Sequence, residues 1–106
     1  METKITHHEQ NTVVAISGEI DMHKASPLRK TLLDELSKKP KKLVINLKEV
    51  SFIDSSGVAT LVEALKECKR LNSTLVLCEM NEKVKDVFEL ARLEKVFTIV
   101  AKQDEA

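Results

Sequence analysis

Apolar residues along the chain change spacing several times, and each change outlines an element. Thr12 to Ile16 (TVVAI) is rich in β-branched residues and stops at Ser17-Gly18, which predicts a strand followed by a breaker. Lys4 to His8 predicts a partner strand, joined as a hairpin through Glu9-Gln10-Asn11. Ala25, Leu28, Leu32 and Leu36 recur at helical spacing, with Leu33 widening the stripe. Pro27 is tolerable only in a first helical turn, so this helix is expected to begin between His23 and Ser26. It is expected to end near Lys39-Pro40, because the residue before a proline avoids the helical region.

Leu43 to Leu47 (LVINL) is a nearly continuous apolar run bounded by lysines, the pattern of a strand covered on both faces. Val58, Leu61, Val62, Leu65 and Cys68 then form one face of a second helix, with Glu63, Lys66, Glu67, Lys69 and Arg70 mostly opposite and Leu71-Asn72-Ser73 as the exit. Thr74 to Cys78 (TLVLC) predicts another buried strand. Asn81 can cap a third helix whose apolar face is Val84, Val87, Phe88 and Ala91. Val96 to Val100 is expected to be a last strand or extension, and the final KQDEA a frayed tail. The order ββαβαβαβ predicts an α/β fold: a single-layer, mixed but largely parallel sheet with helices packed against it. The unit from Leu43 to Cys78 is expected to be a right-handed crossover.

Length and charge narrow the function. The 106 residues suit one domain, with its core over about residues 5–100. Lys plus Arg and Asp plus Glu are 17 each, a balance that leaves no electrostatic footprint for a nucleic acid or an anionic membrane. Aromatics make up 3% of the chain, too few for the stacking platforms of a single-strand binder. No apolar run approaches the ~20 residues of a membrane span, and METKITHHEQ lacks the layout of a secretory leader. Cys68 and Cys78 fall in apolar stretches and read as reduced core thiols. A cytoplasmic location is expected.

The segment with chemical content is Phe52-Ile53-Asp54-Ser55-Ser56-Gly57-Val58, between a buried strand and an amphipathic helix. Asp54 or Ser55 stands where the helix needs its N-cap. Ser56 then falls in the first turn, where backbone N–H groups lack intrahelical partners. A phosphate on its hydroxyl would be favoured by the helix dipole and by those free amides. On local grammar alone, Asp-Ser-Ser-Gly is only a cap and a turn. Upstream, Ile16-Ser17-Gly18-Glu19-Ile20-Asp21 sets a glycine break and two carboxylates straight after a strand; alone, these read as a solvated loop end. His7, His8 and His23 are scattered, without evident charge partners, and none is brought beside Ser56 by any sequence feature. With two glycines in the chain there is no glycine-rich phosphate loop. No enzyme activity, metal or cofactor is expected.

Taken together, ISGEID, LVINLKEVSFIDSSG, VATLVEALKECKRLN and LVLCEMNEKVKDVFELARLEKVF resemble the STAS domain family in its bacterial anti-sigma factor antagonist branch, over about Ile5 to Val100. The resemblance implies a regulatory binding module with Ser56 as phosphoacceptor. It implies a partner-binding surface of Asp21, Asp54, Ser55, Ser56 and Gly57. The implied partners are an anti-sigma factor that is also an ATP-binding serine kinase, and a metal-dependent serine phosphatase that restores the free hydroxyl. Another role in the same family is a STAS scaffold in a transporter or lipid-trafficking complex that is not phosphorylated. Ala59 departs from the pattern, because many members carry a glycine there.

Overall fold

The computed structural model describes all residues, 1–106. Its elements in chain order are β1 (Glu2–His8), β2 (Asn11–Ile20), α1 (Met22–Leu36), β3 (Lys42–Ile53), α2 (Ser55–Leu71), β4 (Thr74–Cys78), α3 (Glu82–Leu90) and β5 (Thr98–Val100), followed by a single 3-10 turn at Gln103–Glu105. The five strands form one sheet in the order β1-β2-β3-β4-β5. β1 and β2 are an antiparallel hairpin, and every other neighbouring pair is parallel. The expected α/β architecture is therefore the one observed.

The core follows from strand alternation. Leu43, Ile45 and Leu47 of β3 and Leu75 and Leu77 of β4 meet Leu28, Leu32 and Leu36 of α1, Leu61, Leu65 and Cys68 of α2, and Val84 and Phe88 of α3 in one buried cluster. Phe97 joins it, edge-on to Phe88 with ring centroids 5.5 Å apart. Val44, Val76 and Cys78 alternate to the opposite face and are buried as well, which accounts for the unbroken apolar runs. The C-terminal turn is fastened to that second face, with Asn46 Nδ2 donating to Gln103 Oε1 at 2.7 Å and the Gln103 amide to Glu79 at 2.9 Å. It is thus a docked turn where a frayed tail was expected.

Other boundaries differ from expectation: β1 begins at Glu2 ahead of Lys4, and β5 begins at Thr98, with Val96 in the turn before it. β2 runs through Gly18 to Ile20. Gly18 has φ +89°, beside one of two points where β3 carries an extra residue against β2, between Gly18↔Val50 and Glu19↔Phe52. A glycine accepts that φ without strain, so it marks a bulge and not an end. β3 correspondingly extends past Leu47 to Ile53. α1 begins at Met22, ahead of the expected range, because Asp21 caps it; Pro27 lies inside the helix and withholds the bond to the His23 carbonyl. Ala91 is the exposed C-cap of α3 and not part of its buried face.

One contact ties the edge hairpin to α1. Glu35 is 5% exposed in the last turn of α1, where the helix dipole disfavours an anion. His7 Nε2 on β1 donates to its Oε1 at 2.8 Å and Lys38 Nζ to its Oε2 at 3.0 Å, so His7 does have a charge partner. Burial pushes the Glu35 carboxyl up, but the bonds from His7 and Lys38 outweigh it and hold the group below its ordinary 4.5. Because the folded chain favours the ionised carboxyl more than the unfolded chain does, this contribution is complete above about 4.5 and fades as pH falls through the lower folded value. Denaturation from pH 7 down to 3 should therefore show wild type losing stability over Glu35→Gln in that acid window. A constant difference between the two across the range would contradict this account.

Candidate functional site

The C-terminal ends of β2 and β3 lie side by side, pairing Ile20 with Ile53. Each strand is followed by one aspartate and then a helix. Asp21 caps α1, its Oδ1 accepting the His23 amide at 2.9 Å. Asp54 caps α2, its Oδ1 accepting the amides of Ser56 at 2.9 Å and Gly57 at 3.1 Å. Of the two candidate caps, Asp54 therefore takes the role, and Ser55 is the exposed first helical residue. The second oxygen of Asp54 reaches the neighbouring junction and accepts the Met22 amide at 3.2 Å, while the Asp54 amide donates to the Ile20 carbonyl at 3.1 Å.

Gly57 sets how closely these junctions approach. It is buried, and a Cβ there would lie 2.7 Å from Ile20 Cγ2, 2.7 Å from Ile53 Cγ1 and 2.9 Å from the Ile20 carbonyl oxygen. A hydrogen at this position lets the first turn of α2 rest directly on the two strand ends.

Ser56 is half-buried, and its carbonyl accepts the Thr60 hydroxyl at 3.0 Å. Its own hydroxyl has no partner in the chain. Seven residues on, about two helical turns, Glu63 pairs with Arg29 of α1. Ser56 thus occupies the flank of α2 that faces α1, and Ser55 is turned about 100° away from it. The two carboxylates, the two serines and Gly57 accordingly gather at one end of the sheet. The first-turn amides expected to be free for a phosphate are largely occupied: Asp54 takes those of Ser56 and Gly57, and only that of Ser55 lacks a partner.

Elsewhere, burial pushes the thiols of Cys68 and Cys78 up to about 11, with Glu67 and Glu79 adding to the effect. Both stay unbridged and protonated near neutrality. No helix is long and apolar enough to cross a membrane. The sequence reasoning missed the bond from the Met22 amide to Asp54. A cap at the end of each of two adjacent parallel strands was the available signal, but their spacing in space depends on register.

The STAS domain family matches this chain over residues 2–106, and the chain belongs to that family. Within it, the chain is similar to the anti-sigma-B factor antagonist of Bacillus subtilis, 32% identical over 100 residues that cover 94% of this chain and 91% of that protein. The crystal structure of an anti-sigma factor antagonist from Mycobacterium paratuberculosis is 26% identical, with a TM-score of 0.90 over 98% of this chain and 88% of that one. The Bacillus cell fate determinant SpoIIAA in its phosphorylated form shares the fold at 18% identity, with a TM-score of 0.75 over 98% and 96% of the two chains.

Three substitutions at two positions probe the junction. Gly57→Ala gains up to about 1 kcal/mol of helix propensity but forces contacts whose relief costs about 1–3 kcal/mol. Urea denaturation should show a net loss, and an unchanged or higher midpoint would mean that the strand ends can yield. Asp54→Ala should cost about 1–2 kcal/mol, the upper range for a lost cap, since it also strands the Met22 amide. Asp54→Asn, which still caps, should recover most of that loss; equal losses in the two variants would remove capping as the explanation.

Proposed function

We propose that the chain is an anti-sigma factor antagonist that works by partner switching in the cytoplasm. Unmodified, it binds an anti-sigma factor that is also an ATP-dependent serine kinase, and the sigma factor is released. The kinase transfers the γ-phosphoryl of ATP to Ser56 Oγ: the new O–P bond replaces the bond to ADP, and the serine proton is lost. The modified chain dissociates, and a metal-dependent serine phosphatase returns the hydroxyl. Asp21, Asp54, Ser55, Ser56 and Gly57 form or shape the contact surface.

The observation that carries this reading is the setting of Ser56. Its hydroxyl is unbonded, in the first turn of α2, on the flank facing α1 and next to the capping carboxylate of Asp54, at the same end of the sheet as Asp21. The names of the relatives supply the type of partner, and the phosphorylated SpoIIAA structure supplies a precedent for modification in this fold. The same setting explains how a phosphate would switch binding off. It adds a charge of about −1.5 to −2 next to Asp54 and at the end of the sheet that carries Asp21, while most first-turn amides are already engaged. The added charge therefore has few internal partners and must be desolvated at the interface. About 2.8 kcal/mol of such cost weakens binding ~100-fold.

The test is titration of wild type, Ser56→Ala and Ser56→Asp against the anti-sigma kinase of the protein's own cell, with ADP or ATP, alongside thermal unfolding and phosphopeptide mapping. Both variants should fold. Ser56→Ala should bind and remain bound in ATP, and Ser56→Asp should bind more weakly, though less so than the phosphorylated protein. Phosphate mapping to Ser55, or a phosphorylated protein that binds as tightly as the free one, would overturn the assignment. A chain that is never phosphorylated would favour the scaffold role.

A further inference from the structure

Apolar side chains lie where the proposed partner would stand. Only four large hydrophobic residues are markedly exposed: Met22 at 69%, Phe52 at 48%, Leu90 at 85% and Val96 at 48%. Met22 follows the capping Asp21, and its amide is held by Asp54. Phe52 stands two residues before Asp54 and pairs with Glu19 across the ends of β2 and β3. Leu90 closes α3, and Val96 lies in the following turn. Because α3 leads from the end of β4 to the start of the parallel β5, both lie toward the opposite end of the sheet.

Both exposed residues at the Ser56 end lie outside the core cluster. The chain has three phenylalanines; Phe88 and Phe97 pack against each other in the core, and the third is left on the rim of the site. Met22 opens α1 at a position whose capping is supplied entirely by carboxylates, so a polar side chain would serve the helix as well. Aromatic and methionine side chains are enriched in protein interfaces relative to the rest of the surface.

We propose that Met22 and Phe52 are the apolar anchors through which the partner kinase grips the end of the sheet that carries Ser56. The proposal rests on the partner-switching reading above. Charge selects this occupant over a second copy of the chain. Glu19 pairs with Phe52 across the strand ends, Asp21 precedes Met22 and Asp54 holds the Met22 amide, so a symmetric self-contact would set carboxylates against carboxylates. A site that holds ATP presents cations to the triphosphate, and an acidic rim around two apolar knobs would complement such a surface. The anchors also divide the labour of the site. They supply affinity that is independent of the phosphate, and Ser56 supplies the switch.

The experiment measures binding of wild type, Met22→Ala, Phe52→Ala, the double variant and Leu90→Ala to the purified anti-sigma kinase in ADP, with phosphorylation kinetics in ATP. Both positions are exposed, so thermal unfolding should be nearly unchanged. Each single variant should weaken binding about 10-fold and the double variant by about 30-fold or more, the range of interface hot spots. Leu90→Ala should bind like wild type. The kinetic loss should appear mainly in KM, because the acceptor is intact. A double variant within about threefold of wild type, or a loss equalled by Leu90→Ala, would overturn the anchors while leaving partner switching in place. Loss of self-association with kinase binding unchanged would assign the surface to a second copy. A wild type that binds no such kinase would overturn both readings.

Discussion

The carboxylate of Asp54 is the constraint on which this end of the molecule depends. One of its oxygens closes the first turn of α2 and the other holds the first amide of α1. A single side chain thereby fixes two strand-to-helix junctions at hydrogen-bonding distance. Parallel strands bring such junctions to the same edge of a sheet, but they do not by themselves set the spacing. Here it is set by the shared carboxylate from above and by the missing Cβ of Gly57 from below. The arrangement makes Asp21, Ser56 and the rim residues a common surface and not two unrelated loop ends.

The parts of this structure visible in the sequence were those dictated by nearest neighbours. Leu28, Leu32 and Leu36, or Val58, Leu61 and Leu65, declare a buried helix face whatever lies across from them. Asn81 declares a cap because its side chain needs only an amide three residues away. The parts that were not visible depend on a partner distant in sequence. Gly18 reads as a stop until β3 supplies the extra residues that make it a bulge. Pro27 reads as a first-turn residue until Asp21 is seen to start α1 five residues earlier. His7 reads as solvated until the hairpin sets it over Glu35. The C-terminal residues read as loose until Asn46, 57 positions away, engages Gln103.

The candidate site divides in the same way. Its acidic and hydroxyl residues were legible as a motif, joined across the chain by resemblance. That Asp54 is the cap rests on its bonds to the Ser56 and Gly57 amides, that Ser56 and not Ser55 faces α1 on the pairing of Glu63 with Arg29, and that Gly57 is a packing residue beneath the surface on the pairing of Ile20 with Ile53. Sequence marked Met22 and Phe52 only as two more apolar letters, because exposure is a property of what fails to cover a residue.

The engaged amides of α2 bear on how information could be carried by such a surface. Where a helix start has donors to spare, an incoming anion reorganises the local bonding and the fold takes part in the message. Here the donors are almost fully committed to Asp54, so a charged group added at Ser56 would find little to rearrange. The mark would be written on an unchanged scaffold and read entirely by whatever stands opposite. Its removal would restore the original surface without any step of refolding.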